Sequence, residues 1–218
     1  MLRRKAAHAE TKETPVIPLE ECLAKSRVKD GVTLPGRTVE EHCRITGAVA
    51  GSLMAALPPC TARLFPENSD LVVAVHDVGK VSPCFQGMIH GVTGESSDFP
   101  ALEPFRLMPK KLGHASVSQA ALMETSPSVA DIAGRHHGAV PEACSADDEI
   151  CGGRPWQNSR LELIARLCGG RALPSGLSAD KKTLLAGLTA VADWIGSGPM
   201  FDDPAEDWRP LAPRAVAE

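Results

Sequence analysis

The residues best suited to chemistry are histidines and aspartates that stand far apart in the sequence. One short apolar run, LVVAV, ends directly in His76 and Asp77, and Gly79 and Lys80 follow. An ionised carboxylate at the end of a buried segment is costly unless a partner or a metal ion compensates its charge. Metal binding is therefore the first chemistry that this stretch suggests.

Other residues of the same types fall at or near the ends of predicted helices. Of the seven histidines in the chain, only His8 and His90 lie elsewhere. The candidate ligands are His42, His76, Asp77, His114, His136, His137 and Asp193. Each alone has a simpler interpretation, such as a contact with a helix dipole. Together, imidazole and carboxylate groups suit divalent transition ions, and seven ligands are the number expected for two adjacent ions sharing a carboxylate.

Helices must position these side chains. Thr38 and Glu41 form a capping-box pattern, which predicts a helix from Val39 to about Leu57. Further helices are predicted at about residues 69–75, 83–90, 113–125, 128–137, 156–168 and 178–195. The sequence shows no internal repeat and no convincing strand, so the predicted fold is all-α, a helical bundle with long loops that carry polar residues. Gly79 is expected to allow a sharp turn after the His-Asp pair.

Composition narrows the class of protein. Apolar residues make up 43% of the chain, which is enough for a packed core. The formal net charge of −4 gives no overall signal for nucleic acid, so phosphate binding would need a local positive feature. No apolar run approaches the roughly 18 residues that cross a bilayer, and MLRRKAAHAE lacks the apolar core of a signal peptide. Seven cysteines without a CxxC motif indicate reduced thiols, so we expect a soluble cytoplasmic protein without membrane contact.

Four sequence blocks occur in an order that resembles one family. They are HDVGKVSPCFQ, GHASVSQ, RHHGAVP and VADWIGS, beginning at residues 76, 113, 135 and 191. The set is similar to the HD nuclease domain of the CRISPR-associated helicase–nuclease of type I systems, within the HD phosphohydrolase superfamily. This resemblance implies an HD-domain helical bundle at residues 39–197, an N-terminal extension at 1–38 and a C-terminal tail or linker at 198–218.

The resemblance also implies roles for the candidate ligands. The first ion would be held by His42, His76, Asp77 and Asp193, and the second by His114, His136 and His137, with Asp77 bridging the two. The expected ions are Mn, Fe, Co or Ni, with Mg and Zn as alternatives. Asp77 and Lys80 are expected to act in catalysis, with Lys80 contacting the phosphate or helping the leaving group.

The activity implied by the resemblance is hydrolysis of phosphodiester bonds in single-stranded DNA by a two-metal mechanism. The expected partners are an ATP-dependent helicase domain or subunit and a CRISPR surveillance complex. The chain has no P-loop motif, so it would be a stand-alone subunit or an excised domain. Arg106, Lys110 and Lys111 could attract a strand or form a solvated loop, and Phe85 and Trp156 could stack on bases or belong to the core.

Two other functions remain open at this stage. The first is an HD-type nucleotide or cyclic-nucleotide phosphohydrolase. The two-metal signalling enzymes of that kind carry HHE and GYP elements, whereas this chain has RHHG and no tyrosine, and simple nucleotidases need only the first four ligands. The second is a binding module that docks on a helicase or surveillance complex with an idle metal site.

Overall fold

The computed structural model describes residues 15–106, 112–139 and 141–218. Within these ranges the chain is a bundle of α-helices with one small sheet, which confirms the all-α class. The helices are α1 (Val39–Ala56), α2 (Pro59–Ala62), α3 (Ser69–Ala74), α4 (Pro83–Thr93), α5 (Glu103–Arg106), α6 (His114–Met123), α7 (Pro127–Arg135), α8 (Gly153–Cys168), α9 (Ala179–Gly196) and α10 (Leu211–Ala217). None of the helices in the described ranges has both the length and the apolarity needed to cross a bilayer.

Helix α1 lies at the centre of the bundle and packs against α3, α9 and α10. The predicted capping box is present, because the Thr38 hydroxyl accepts from the Glu41 amide and the Glu41 carboxylate accepts from the Thr38 amide. Ile45, Val49 and Ala50 form its buried face. Helix α6 packs against α7 and against a 3₁₀ turn at Val78–Lys80. The bundle thus brings the ends of α3, α7 and α9 and the starts of α1 and α6 to one region.

The prediction that the chain has no strand is wrong. Strands β1 (Ser26–Lys29) and β2 (Val32–Pro35) form an antiparallel hairpin with Lys29 opposite Val32. Its two-residue turn is Asp30 and Gly31, both with positive φ, at 52° and 76°. Asp-Gly is a preferred pair for such a turn, so a hairpin signal lies within the N-terminal segment, whose polar composition and breaker residues predict little regular structure.

The Pro- and Asp-rich composition of residues 198–218 predicts a loose segment, and this prediction is wrong. A 3₁₀ turn at Pro199–Phe201 buries the Phe201 side chain completely, and Leu211 of α10 is buried as well. The buried guanidinium of Arg37 donates to four backbone carbonyls of this segment, those of Phe201 at 3.0 Å, Asp203 at 2.5 Å, Pro204 at 3.4 Å and Glu206 at 2.8 Å. These bonds tie the segment before α1 to the one after α9. The division of the chain at residues 38 and 197 stays a prediction.

Candidate metal centre

Four of the predicted ligands converge at the buried end of the bundle, and we call them the first group. They are His42 in the first turn of α1, His76 and Asp77 directly after α3, and Asp193 in the last turn of α9. Each offers one ligand atom, and these atoms lie within 4.8 Å of one another. His42 Nε2 lies 3.1 Å from Asp77 Oδ2 and 3.3 Å from Asp193 Oδ1. His76 Nε2 lies 3.4 Å and 3.5 Å from the same two oxygens.

The remaining three predicted ligands form a second group, His114, His136 and His137. His114 is the first residue of α6, whereas His136 and His137 follow directly after α7. Their ligand atoms also lie within 4.8 Å of one another, and the Nε2 atoms of His114 and His137 are 2.9 Å apart. The packing of α6 against α7 therefore brings His114 to the adjacent pair His136 and His137, more than twenty positions further along the chain.

The Asp77 carboxylate lies between the two groups and faces each with a different oxygen. Its Oδ2 is close to His42 and His76, while its Oδ1 lies 3.3 Å from His114 Nε2 and 3.5 Å from His136 Nε2. The rings of His76 and His136 approach edge to face, with centroids 4.9 Å apart. This geometry is compatible with a carboxylate that joins two neighbouring ions. Ligation itself stays a prediction for all seven residues.

The hydrogen bonds of two donor histidines favour the tautomers that suit metal ligation. His76 Nδ1 lies 2.7 Å from the carbonyl of Val73, and His136 Nδ1 lies 2.5 Å from that of Ala133. Each Nδ1 must carry a proton to donate there, so Nε2 holds the lone pair whenever the ring is neutral. Burial would lower the pKa of His76, but the Asp77 and Asp193 carboxylates raise it, so an ion bound at His76 would displace a proton. His76 Nε2, His136 Nε2 and Asp77 Oδ1 are buried and have no hydrogen-bond partner among the described residues. Buried polar atoms are nearly always partnered, so these three atoms fit a centre that binds divalent cations.

Burial and neighbouring charges set the protonation states of the centre. Burial alone would raise the pKa of Asp77, but the charges of His76 and Lys80 and the hydrogen bond from His42 hold it well below its usual value. Burial lowers the pKa of His114 and of His136 to about 4. Both imidazoles are therefore neutral near pH 7, and Asp77 is ionised, as ligands must be.

Lys80 lies inside the centre and does not project into solvent. Its ammonium nitrogen is 2.7 Å from Asp77 Oδ2, and its side chain is 12% exposed. Burial would lower its pKa, but the adjacent Asp77 carboxylate raises it above the usual value, so the ammonium keeps its charge. It also lies 5.6 Å from the centroid of the Phe85 ring.

Gly79 is needed for close packing, which differs from the reason expected. Its φ is not among the positive values of the described chain, so no left-handed turn follows the His-Asp pair. A Cβ at this position would lie 2.1 Å from the carbonyl oxygen of His114 and 2.4 Å from the Ser118 nitrogen. The Gly79 amide donates to Ser118 Oγ at 2.8 Å. Glycine thus lets the turn that carries Asp77 lie directly against α6, which carries His114.

Two buried side chains that position the centre were not recognised from the sequence. Gln86 donates to the carbonyls of Lys80 and Leu23 at 2.8 and 3.0 Å and accepts from the Leu23 amide at 2.9 Å. Arg160 donates to the carbonyls of Val81 and Ala146, both at 2.9 Å. Gln86 follows the HDVGK motif within an apolar helix, which could have signalled a buried amide. Nothing around Arg160 in the sequence separates it from a surface arginine.

The other sequence candidates have mixed outcomes. Trp156 is completely buried, which confirms the core interpretation, whereas Phe85 is half-buried with its ring 5.6 Å from that of His114. Arg106 is exposed at the end of α5. Lys110 and Lys111 lie outside the described residues, so the predicted basic loop is described only at Arg106.

A comparison with models of protein families gave one match. A protein-family model described as "Cas3, HD domain" matches residues 24–201. The match begins within the expected extension and ends within the expected tail. Among curated proteins, no match was found.

Several solved structures share the fold. A crystal structure of a CRISPR-associated protein has 23% identity and a TM-score of 0.68, over 92% of this chain and 26% of that chain. The structure of T. fusca Cas3 has 21% identity and a TM-score of 0.63, over 93% and 26%. The Thermus thermophilus Cas3 HD domain, determined in the presence of Ni²⁺, has 20% identity and a TM-score of 0.55, over 91% and 88%. The chain thus spans about a quarter of the first two proteins and nearly all of the third.

Proposed function

Since the chain belongs to the Cas3 HD-domain family, we propose that it is a metal-dependent nuclease that hydrolyses phosphodiester bonds in single-stranded DNA. The proposal includes two divalent transition ions, held by the first and second groups, and a place in type I CRISPR interference. An ATP-dependent helicase, as a further domain or a separate subunit, and a surveillance complex are its proposed partners.

The position of Asp77 is the observation that carries this proposal. Its two oxygens face different histidine groups, and Oδ1 has no hydrogen-bond partner among the described residues. A hydrolase that used only the first group would need neither the second cluster nor an unpartnered oxygen directed at it. The arrangement therefore favours two-metal phosphodiester chemistry over the single-site chemistry of simple nucleotidases.

The chain's own residues would prepare the reaction. Two bound ions would supply a water of lowered pKa and would stabilise the charge that develops on the phosphate. In their neutral forms His76 and His136 would present Nε2 as the donor atom, because backbone carbonyls hold a proton on Nδ1. Lys80 keeps its proton beside Asp77, so it can donate to a phosphate oxygen or to the leaving oxygen. His114 and Asp193 have side chains that are each 21% exposed, and a phosphate would approach from that side.

A substrate and metal panel tests the proposal. The purified chain is incubated with end-labelled single-stranded DNA, duplex DNA, RNA, deoxynucleoside triphosphates and cyclic dinucleotides, each with Mn, Co, Ni, Fe, Mg or Zn. We expect single-stranded DNA to be degraded with a transition ion and EDTA to abolish the reaction. Turnover of the small nucleotides alone would replace the proposal with the nucleotide phosphohydrolase, and no turnover would favour a binding module.

A pair of aspartates in α9 provides a matched test of the site. Asp193→Asn removes one charged ligand candidate of the first group, and Asp180→Asn makes the same change in the exposed first turn of the same helix. We expect the first variant to lose DNA cleavage and the second to cleave like the parent. Equal activity of the two variants would refute the assignment of Asp193. Metal analysis of the same samples should give up to two ions per parent chain.

A further inference from the structure

An apolar cavity of about 280 Å³ opens beside the second group, and the proposed reaction gives it no role. Helix α4 contributes Phe85 and Met88, α5 contributes Phe105 and Arg106, and α6 contributes His114 and Val117. Phe85, Met88 and Phe105 are only partly buried, so the cavity can be reached from solvent. His114 belongs to both the cavity and the second group.

We propose that this cavity is a nucleobase subsite, which takes the base of a nucleotide adjacent to the scissile phosphate. This inference rests on the proposed nuclease function and adds a specific contact for the substrate. Three features of the cavity support it: the location of its wall, the chemistry of its lining and the charge at its edge.

The wall that separates the cavity from the metal centre is aromatic. The Phe85 ring meets the His114 ring nearly at a right angle, at 77° and 5.6 Å between centroids, and the Lys80 ammonium lies 5.6 Å from the Phe85 centroid on the side of the centre. An occupant of the cavity is thus one side chain away from the proposed ions. A base would be separated from the ions to a similar extent if the phosphate attached to its own sugar were cleaved.

The lining favours a flat apolar group over a polar one. Two of its polar side chains already have partners, because Ser82 Oγ accepts from the Phe85 amide at 3.4 Å and Cys84 Sγ donates to the Ile150 carbonyl at 3.3 Å. The lining therefore has few free groups with which to read a base edge. Stacking on aromatic rings tolerates any base, since every base has a π face. The subsite should therefore bind purines and pyrimidines without sequence specificity.

Arg106 is the one residue with a permanent charge among those that line the cavity in the described chain. Its side chain is 42% exposed, and its ion pair with Glu103 is long, at 3.7 Å, so the guanidinium can reach a flanking phosphate. Helix α5 can approach α4 because residue 87 is glycine, where a Cβ would lie 2.8 Å from the Leu102 carbonyl. An apolar cavity with a cation at its edge matches a nucleotide, which has a flat base and an anionic phosphate.

Abasic DNA tests the proposal on the unmodified protein. A set of oligonucleotides carries one abasic residue, moved one position at a time past a fixed cleavage site, and kcat/KM is measured with Mn²⁺. We expect one adjacent position to lower kcat/KM by about tenfold, the effect of one lost stacked base, while the others change it less than about twofold. A uniform response at all positions would overturn the subsite.

Variants then locate the effect. In Phe105→Ala the penalty of the critical abasic residue should fall below about twofold, because the stacking partner is already lost. Trp194 is 84% exposed on α9, outside the cavity, so Trp194→Ala should keep the full penalty. If Trp194→Ala removes the penalty and Phe105→Ala keeps it, the base stacks outside the cavity and the proposal is wrong.

A binding measurement separates this inference from the proposed function. Oligonucleotides with 2-aminopurine at the critical position are titrated with metal-free protein in EDTA, so no cleavage is needed. We expect fluorescence quenching that Phe105→Ala abolishes and Trp194→Ala leaves unchanged. Quenching without any cleavage under metal would refute the nuclease and keep the subsite. Cleavage without Phe105-dependent quenching would keep the nuclease and refute the subsite.

Discussion

The first and second groups differ in burial and in charge. In the first group, His42, His76 and Asp77 have side chains at most 2% exposed, and their elements, α1 and the end of α3, pack in the middle of the bundle. In the second group only His136 is buried, while His114 is partly exposed and His137 is exposed. His136 and His137 also lie after the last residue of α7, where a loop begins.

The two groups also differ in charge, and this difference, like the difference in burial, favours tighter metal binding by the first group. The first group contains two carboxylates. Burial would raise the pKa of Asp193, but the neighbouring His42 and His76 imidazoles hold it well below its usual value. The second group contains only imidazoles and shares Asp77. A preformed, buried and anionic set of ligands binds a divalent ion more tightly than a partly exposed neutral set. We therefore expect the first ion to be retained through purification and the second to exchange.

The largest effect is expected from Asp77→Asn, because this one change affects both groups. Loss of residues that merely support metal ligands costs 10–100-fold, so loss of a shared ligand should lower DNA cleavage by more than about 100-fold. Metal content, measured by elemental analysis after dialysis, should fall for both ions. Loss of only one ion, with the other still bound as in the parent, would show that the carboxylate does not join the groups.

A comparison of His42→Gln with His137→Gln sharpens the contrast between the groups. His137→Gln should retain one tightly bound ion and weaken the second by about 10–100-fold, whereas His42→Gln should lose the retained ion. Cleavage should fall strongly in both variants, because two ions are required. Isothermal titration with Mn²⁺ after EDTA treatment measures both affinities. The reverse pattern would contradict the assignment of the tight site to the first group.

Gly79→Ala should affect the second group more than the first. A Cβ at residue 79 would push against the His114 carbonyl and the Ser118 nitrogen, which are backbone atoms of α6. Overpacking of this kind costs about 1–3 kcal/mol of stability, which urea unfolding can measure. The variant should keep the tightly bound ion and lose affinity for the weaker one. Gly51→Ala, at a site with nothing within 4 Å of the added Cβ, is the control.

The smallest effect is a pH dependence of the metal-free chain. The folded pKa values of His114 and His136 are about 4, below the unfolded value near 6.5. Between these values the unfolded chain binds more protons than the folded chain, so stability should fall as pH decreases from 6.5 to 4. Urea unfolding in EDTA across this range checks the slope, and His136→Asn should reduce it. An unchanged slope in that variant would show that His136 does not contribute.

Much of the site could be predicted, because its ligands occur in recognisable sequence motifs. The ligands also lie near helix ends, which capping residues and helix-breaking residues indicate in the sequence. Thr38, Ser178 and Pro83 mark helix starts through local chemistry, and such signals need no knowledge of tertiary structure. The partners of Gln86 and Arg160 could not be predicted, because Gln86 bonds to Leu23 and Arg160 to Val81, at separations of 63 and 79 residues. The apolar cavity beside the second group could not be predicted either, because it depends on how α4, α5 and α6 pack against one another.

The hydrogen bonds between Arg37 and the segment after α9 have a consequence for synthesis of the protein. Its guanidinium is buried, yet the carbonyl of Phe201 that it needs is 164 residues further along the chain. Domains emerge from the ribosome N-terminal end first, so Arg37 stays in water until the segment that carries Phe201 and Glu206 has been made. The helices that carry the ligands all precede that segment, so they can pack before the Arg37 guanidinium is buried.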